Sequence, residues 1–550
     1  MQLEIGVDAL LLVGSTLLLL AGLSAAVLDK LGQRLRVPGA LLFLVLGMVA
    51  GNEGVGLVVL DDAALVQNVG TIALLFILFE GGLTTKPTDL RLAALPGTAL
   101  ATIGVAVTAA VTGLGIWWLL DLDPATSMLI GAVVASTDAA AVFSMMRTTP
   151  LPRRISALLR LESGANDPIA VMLTVGMIAT IVDGGVGPGD WALFAVVQLL
   201  GGGIVGGLIG ALGAVALRRL ELGVEGMYPV VAGALGAMAY AAAASVGASG
   251  FVAVYVAGLL IGAFVPRHRR SIRGVHEALA NASEIGLFLL LGLLVTPSEL
   301  IPVVLSGLLV ALILTFVARP TAVWLCTLGQ RYSWQERMLL SWGGLRGAVP
   351  IVLGTFPATA TVDDGGAIFN VVFFVVLVSV LVQGTTLLPL VKRLGLQVER
   401  PGWAPVAEAL PIEGIDVDLI EVFVTEDLAL HGRRLHEIPP PDRALVAAIV
   451  REHRVLIPRG DTRLANGDVL LLTTERQGDA ADRLTAWARG EDLPDGPTAG
   501  VPGGSTALDA DGVRRGPVRR RQADGAEPLR ESAGDDDTVS RQPGTGADER

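Results

Sequence analysis

From Leu10 almost to Leu394 the sequence is a succession of apolar runs, each closed by a short polar or Gly/Pro-marked turn. A helix needs ~20 apolar residues to cross a bilayer, so the repetition of runs of that length predicts one continuous membrane domain. Composition agrees: 52% of the 550 residues are hydrophobic and 17% charged, a balance foreign to a water-soluble chain of this length. We read about thirteen spans on the ~20-residue criterion: 8–29, 38–56, 63–82, 94–119, 124–146, 163–182, 189–217, 226–246, 250–265, 275–295, 300–328, 336–356 and 367–392. The first run begins with Glu4 and Asp8 and lacks a small-residue cleavage site, so it is expected to be a retained helix.

Alternate loops carry the basic residues: Lys30, Arg34 and Arg36; Lys86 and Arg91; Arg147, Arg153 and Arg154; Arg218 and Arg219; Arg267, Arg269, Arg270 and Arg273; Arg331 and Arg337. The intervening loops carry acids, among them Glu53, Asp61, Asp62, Asp121, Asp123, Glu299, Asp363 and Asp364. Basic loops collect on the cytoplasmic side, which predicts an external N-terminus, a cytoplasmic C-terminus and residence in the inner (plasma) membrane. Cys326 is the only cysteine, so no disulfide or cysteine metal site is expected, and the five His, all in loops, helix ends or the C-terminal part, form no ligand cluster. The net charge of -12 is concentrated in the C-terminal third and short loops and does not mark a nucleic-acid binder.

After Lys392-Arg393 the character changes. A Pro-containing linker, 396–414, leads to a soluble α/β block over 415–490. Strand alternation is expected in Asp418–Thr425, Ala444–Val450, Arg454–Pro458 and Asp468–Thr474, and helix in Leu428–Glu437 and Asp479–Ala488. From 491 to 550 almost no apolar residue remains, and a disordered tail is expected.

An ionisable residue inside a span costs about 2.5 to 3.5 kcal/mol on insertion scales, so each needs a partner or a function. Asp138, Glu162, Asp167, Arg319 and Arg346 fall within apolar spans. Glu80 and Glu284 lie nearer span ends or polar edges, where an interfacial or helix-packing carboxylate is expected. In Glu162-Ser163-Gly164-Ala165-Asn166-Asp167-Pro168 a carboxylate enters lipid depth beside an amide. Burial penalises the charged form, so a proton or a cation must neutralise it. One carboxylate that cannot stay empty and cannot hold both would give obligatory exchange. The other reading is that Asp167 caps a broken helix.

Three features favour exchange. Ala135-Ser136-Thr137-Asp138-Ala139 puts two hydroxyls and a carboxylate in mid-span, where unwound backbone lines a cavity. Trp342-Gly343-Gly344-Leu345-Arg346-Gly347-Ala348-Val349-Pro350 is the strongest helix-breaking stretch in the membrane domain. The two breaks lie seven spans apart, the pattern of an inverted-repeat transporter with a midplane site. Small-residue packing would explain the glycines but not Arg346. Arg319, followed by Pro320, needs a carboxylate, and Glu162 is the loose acid by the motif. We therefore expect a Glu162–Arg319 ion pair and Arg346 near Asp138.

The Thr137-Asp138 pair, Glu162-Ser163-x-x-Asn166-Asp167 and Gly344-Leu345-Arg346-Gly347-Ala348-Val349-Pro350 together resemble the monovalent cation:proton antiporter-1 family of NhaP-like exchangers, over essentially all of 1–395. The resemblance implies a homodimer, an NhaA-like inverted-repeat fold with crossing discontinuous helices, and alternating access. It also implies no enzymatic activity and no cofactor, with Asp167 as the carrier of cation or proton and Thr137, Ser163 and Asn166 beside it. Asn166 in place of a second Asp resembles the electroneutral branch. The soluble block is similar to TrkA-C (RCK-C) domains. Its marks are Leu435, Ile438-Pro439, Val446 to Arg451, Val455 to Thr462, and Asn466-Gly467-Asp468-Val469-Leu470-Leu471. An exchanger joined to such a domain implies K⁺/H⁺ exchange of the NhaP2-like kind, with Na⁺ as the other cation. A nucleotide regulator such as cyclic di-AMP is one reading of the soluble domain, and plain dimerisation the other. Rival readings are a regulated channel, against which stands the lack of a Thr-Val-Gly-Tyr-Gly filter, and a receptor whose embedded charges are structural.

Overall fold

The computed structural model describes residues 39–397 and 410–491, apart from Val59, Asp61, Lys86, 147–150, 185–186, Glu221, 266–267, Thr361, 412–416, Asp427, 442–443, 452–453 and 476–479. The expected first span, the basic loop at Lys30 to Arg36 and the tail from 492 lie outside these residues.

Among the described residues the membrane part is built from helices. Its elements are α1 (Gly39–Ala50), α2 (Ala63–Thr84), α3 (Pro87–Ala99), α4 (Val105–Leu120), α5 (Pro124–Val133), α6 (Ala139–Met145), α7 (Arg153–Val182), α8 (Pro188–Val196), α9 (Gly202–Arg219), α10 (Met227–Ser245), α11 (Gly250–Phe264), α12 (Arg269–Leu294), α13 (Pro297–Leu300), α14 (Val304–Ile313), α15 (Arg319–Cys326), α16 (Trp334–Trp342), α17 (Ala348–Thr359), α18 (Gly365–Val378) and α19 (Gly384–Arg393). Single π-helical turns join α3 to α4, α8 to α9, α14 to α15 and α18 to α19, so those pairs are continuous rods. Among the described residues eight helices are long and apolar enough to cross a membrane, and shorter apolar helices include α5, α11 and α17.

The acidic loops have a local role as well as a topological one. Asp62 accepts from the Leu65 N–H at 3.0 Å and Asp123 from those of Ala125 and Thr126, so both cap the orphan amides that start α2 and α5. Outward faces are apolar: Leu200, Ile204, Leu208 and Leu212 form an exposed stripe at i+4 spacing along the α8–α9 rod, as expected of a surface that meets lipid. Inward, α9 and α11 approach through small residues. A β-carbon on Gly210 would sit 2.8 Å from the Ala257 Cα, the close packing on which helix association relies where no hydrophobic drive operates.

The sixth span differs from expectation. α7 starts at Arg153 and runs 30 residues through Pro168, so Glu162, Asn166 and Asp167 lie in the helix interior rather than at its start. His276 is likewise not at a helix end: it is buried within α12, Nδ1 2.8 Å from the Ile272 carbonyl oxygen, its ring edge-on to Phe79.

The C-terminal module is a five-stranded antiparallel sheet in the order β1-β2-β5-β3-β4, with β1 (Leu410–Pro411), β2 (Val417–Phe423), β3 (Leu445–Arg451), β4 (Arg454–Leu456) and β5 (Val469–Glu475), followed by α20 (Ala480–Arg489). Ile420, Val422, Ile449, Leu470, Leu472 and Leu484 form its core. Strand β1 falls in the stretch read as linker. The helix expected over Leu428–Glu437 is absent: this segment is turns plus a 3₁₀ turn at Leu435–Glu437. Gly432 at φ 74° and the Arg434–Arg463 bridge divert the chain.

Asp468 closes the module. Its fully buried carboxylate accepts two 2.7 Å bonds from the Arg451 guanidinium and one of 2.8 Å from the Ala465 N–H. Burial alone would raise its pKa, but these donors and the Arg451 charge outweigh it and hold Asp468 below the usual 3.8. A lowered folded pKa stabilises above the unfolded value, and that contribution is lost as pH falls through the folded one. Asp468→Ala is expected to cost roughly 1 to 3 kcal/mol at neutral pH, read as faster tryptic cleavage of the module in the full chain. The difference from wild type should shrink only below about pH 4. Equal cleavage rates at pH 7 would show that the clamp contributes nothing.

Candidate functional site

The two broken helices meet at their breaks. α5 ends at Val133 and α6 begins at Ala139, leaving Val134–Asp138 non-helical, and α16 and α17 are interrupted likewise over Gly343–Gly347. The breaks are joined through backbone: the Asp138 N–H donates to the Leu345 carbonyl at 2.7 Å. The buried Arg346 Nη1 donates to the carbonyls of Ala135 and Ser136 at 2.6 and 2.5 Å. Arg346 therefore serves the C-terminal end of α5, where carbonyls lack helical partners and the helix dipole is negative.

Arg346 thus lies beside Asp138, as expected, but the two are joined through the backbone of its neighbour Leu345 and by no ion pair among the described residues. Asp138 instead caps α6, its Oδ1 accepting from the N–H groups of Ala140 and Ala141 at 2.8 and 3.4 Å. The capping role weighed for Asp167 thus belongs to Asp138. Gly344 and Gly347 of the second break make room for charge rather than for helix packing: a β-carbon on Gly347 would lie 2.7 Å from the Asp138 Cβ, and one on Gly344 would overlap the Arg319 guanidinium.

α7 lies against this crossing. Asp167, 7% exposed, accepts from the Ser136 hydroxyl at 2.5 Å. Asn166, fully buried, donates from Nδ2 to the Thr137 Oγ1 at 2.6 Å, and its Oδ1 has no hydrogen-bond partner among the described residues. Ser163 Oγ accepts from the Ala139 N–H at 3.0 Å. Ser163, Asn166 and Asp167 of the α7 motif therefore reach the first break, and Pro168 offers no N–H to the Gly164 carbonyl above it.

One turn away, Arg319 grips Glu162 in a buried two-point ion pair, Nη1 to Oε1 and Nη2 to Oε2, the latter at 2.9 Å, and Nη2 also donates to the Leu340 carbonyl at 3.2 Å. Sequence brought this pair together correctly in space.

A cavity of about 470 Å³ opens beside Asp167. Ser136, Thr137, Asp138, Ser163 and Asp167 line it, together with Glu80, Glu277, Glu284 and Arg160, which sequence reasoning left out of the site. Glu80 and Glu284 are thus cavity carboxylates rather than interfacial ones. The available signal was spacing: Glu277 and Glu284, seven apart, share one face of α12. The wider lining includes Thr84, Thr85 and Phe143, near the basic loops, with Arg160 over the Phe143 ring at 4.8 Å. No group of three His, Cys, Asp or Glu suited to a resident metal occurs among the described residues.

Crossed helix breaks that enclose a buried carboxylate at the wall of a cavity define a multi-pass membrane protein of the discontinuous-helix transporter class. Residues 16–393 match the sodium/hydrogen exchanger, transmembrane family, and residues 419–485 match the TrkA-C domain. The chain belongs to the sodium/hydrogen exchanger family. It is 39% identical over 494 residues to the K(+)/H(+) antiporter NhaP2 of Shewanella sp. (strain MR-4), covering 88% of this chain and 84% of that one. It is 35% identical to the K(+)/H(+) antiporter NhaP of Alkalimonas amylolytica, over 85% and 82%. The fold is similar to that of the sodium proton antiporter MjNhaP1 from Methanocaldococcus jannaschii, with a TM-score of 0.61 at 24% identity, covering 70% of this chain and all of that one.

Proposed function

We propose that the chain exchanges a monovalent cation for a proton across the cell membrane, K⁺ preferred and Na⁺ the alternative, with Asp167 holding one or the other. The observation that carries this reading is the placement of the Asp167 carboxylate, buried yet at the cavity wall, where it accepts from the Ser136 hydroxyl and has no ion pair with a basic side chain among the described residues. Neutralisation must then come from what enters the cavity. A cation displaces the proton and a proton displaces the cation, and because Asn166 adds no second charge, one cation moves for one proton. Thr137, Ser163 and Asp138 supply oxygen atoms on the same wall. Movement of the α5–α7 and α16–α17 assembly against the rest would expose Asp167 to each side in turn.

In this reading the cavity faces the cytoplasm, the C-terminal module lies on that side, and the chain works as a homodimer in the inner membrane. The TrkA-C module would regulate exchange by binding a small nucleotide such as cyclic di-AMP. The preference for K⁺ rests on the NhaP2 and NhaP relatives named for K⁺.

The test is proton movement in everted vesicles on addition of KCl, NaCl or LiCl across a pH series. Cation-dependent proton release with K⁺ effective at lower concentration than Na⁺ is expected, and it should be unaffected by collapsing the membrane potential. Absence of any cation response would remove the antiport reading, and a potential-dependent one would remove one-for-one exchange.

A further inference from the structure

Glu284 is an embedded carboxylate without an assigned task. α12 begins at Arg269, so Glu284 lies about 22 Å along the helix from that end and about 15 Å from the other at 1.5 Å per residue. That depth is no interface, and a carboxylate there carries the cost of a buried charge. It lines the same cavity as Asp138 and Asp167. The charged lining among the described residues is Glu80, Asp138, Asp167, Glu277 and Glu284 against Arg160 alone. Of the elements packed on α12, α1 and α10 bring no charged side chain and α2 brings Glu80. Arg273 of α12 itself donates to the Leu83 carbonyl at 3.0 Å.

Glu277 precedes Glu284 by seven residues. Two turns of helix place the two on one face about 10 Å apart along the axis, with Glu277 towards the basic-loop end. Carboxylates therefore occur in sequence along the cavity: Glu277, Glu284, then Asp138 and Asp167 on the opposite wall. A cleft lined by one sign of charge with apolar walls concentrates counter-ions and raises their arrival rate by about 10 to 10³.

We propose that Glu284 is a staging ligand for the transported cation, receiving it by way of Glu277 and passing it to Asp167. This rests on the exchange reading and adds to it a substrate-contacting residue on α12. Glu284 sets how readily the cation reaches Asp167, and Asp167 sets what is exchanged.

The test is the split between KM and Vmax for K⁺- and Na⁺-driven proton movement in vesicles holding the full chain. Glu284→Gln keeps size and polarity and is expected to raise the KM for both cations about tenfold at low ionic strength, with Vmax within about twofold of wild type. Glu277→Gln should raise KM less. Glu284→Asp, which keeps the charge, should recover most of the wild-type KM. An unchanged KM in Glu284→Gln, or a lower Vmax at wild-type KM, would overturn the proposal. If Glu284→Gln does not accumulate, Glu284→Asp carries the test: KM near the wild-type value supports staging by charge, and a Vmax loss at that KM overturns it. If wild type shows no exchange at all, the antiport reading falls. The staging role is then judged by whether KCl or NaCl raises the melting temperature of purified wild type at lower concentration than that of Glu284→Asp and Glu284→Gln, with equal concentration dependence overturning it.

Discussion

Asp167→Asn is expected to reduce cation-driven proton movement at least about 100-fold, equivalent to roughly 2.7 kcal/mol, while the protein accumulates as wild type does. The amide is nearly isosteric and can still accept from the Ser136 hydroxyl at the position where Asp167 Oδ1 now sits. What it loses is the negative charge that a proton or a cation must neutralise. Asn at 167 beside Asn166 leaves Asp138 as the remaining carboxylate of the breaks, and Asp138 is occupied in capping α6. A rate near wild type in the Asn variant, measured on equal amounts of folded protein in vesicles, would sink the carrier role.

The second large effect concerns stability. Glu162→Gln or Arg319→Gln alone is expected to cost about 3 to 5 kcal/mol, because each leaves one buried charge without its counter-charge. The double variant Glu162→Met/Arg319→Met removes both charges and should lose much less, since apolar replacements of a buried pair are often neutral. Melting of the detergent-solubilised protein with yield of folded dimer or monomer reads this directly. Single variants as stable as wild type would deny the pair its structural part. Additive losses in the double variant would deny the coupling. Gly344→Ala tests the same locus from the other side, because its β-carbon would meet the Arg319 guanidinium.

Much of this site was legible in the sequence because lipid makes charge conspicuous. Glu162, Asp167, Arg319 and Arg346 stand out within apolar runs, and glycines with proline announce the breaks. Two kinds of information were not legible. The partner of Arg346 is a pair of backbone carbonyls, and carbonyls leave no mark in a residue pattern. The cavity acids Glu80, Glu277 and Glu284 come from helices whose limits decide whether a carboxylate reads as interfacial. Extending the helix back to Arg269 moves Glu284 from an edge to the interior. The start of α7 was missed for the same reason: Arg153, Arg154 and Arg160 are polar enough to hide ten further helical residues. In the C-terminal module, alternation located the four longer strands, whereas Leu428–Glu437 looked helical until Gly432 turned the chain.

The bonds between the breaks also bear on how the chain is made. Arg346 lies 211 and 210 residues after the carbonyls of Ala135 and Ser136 that it binds. At about 5 to 20 residues per second a ribosome needs roughly 10 to 40 s to bridge that interval. Throughout it the first break must wait in the membrane, its carbonyls unmatched by the arginine that completes them. The first half of the membrane domain is thus completed only by a side chain of the second.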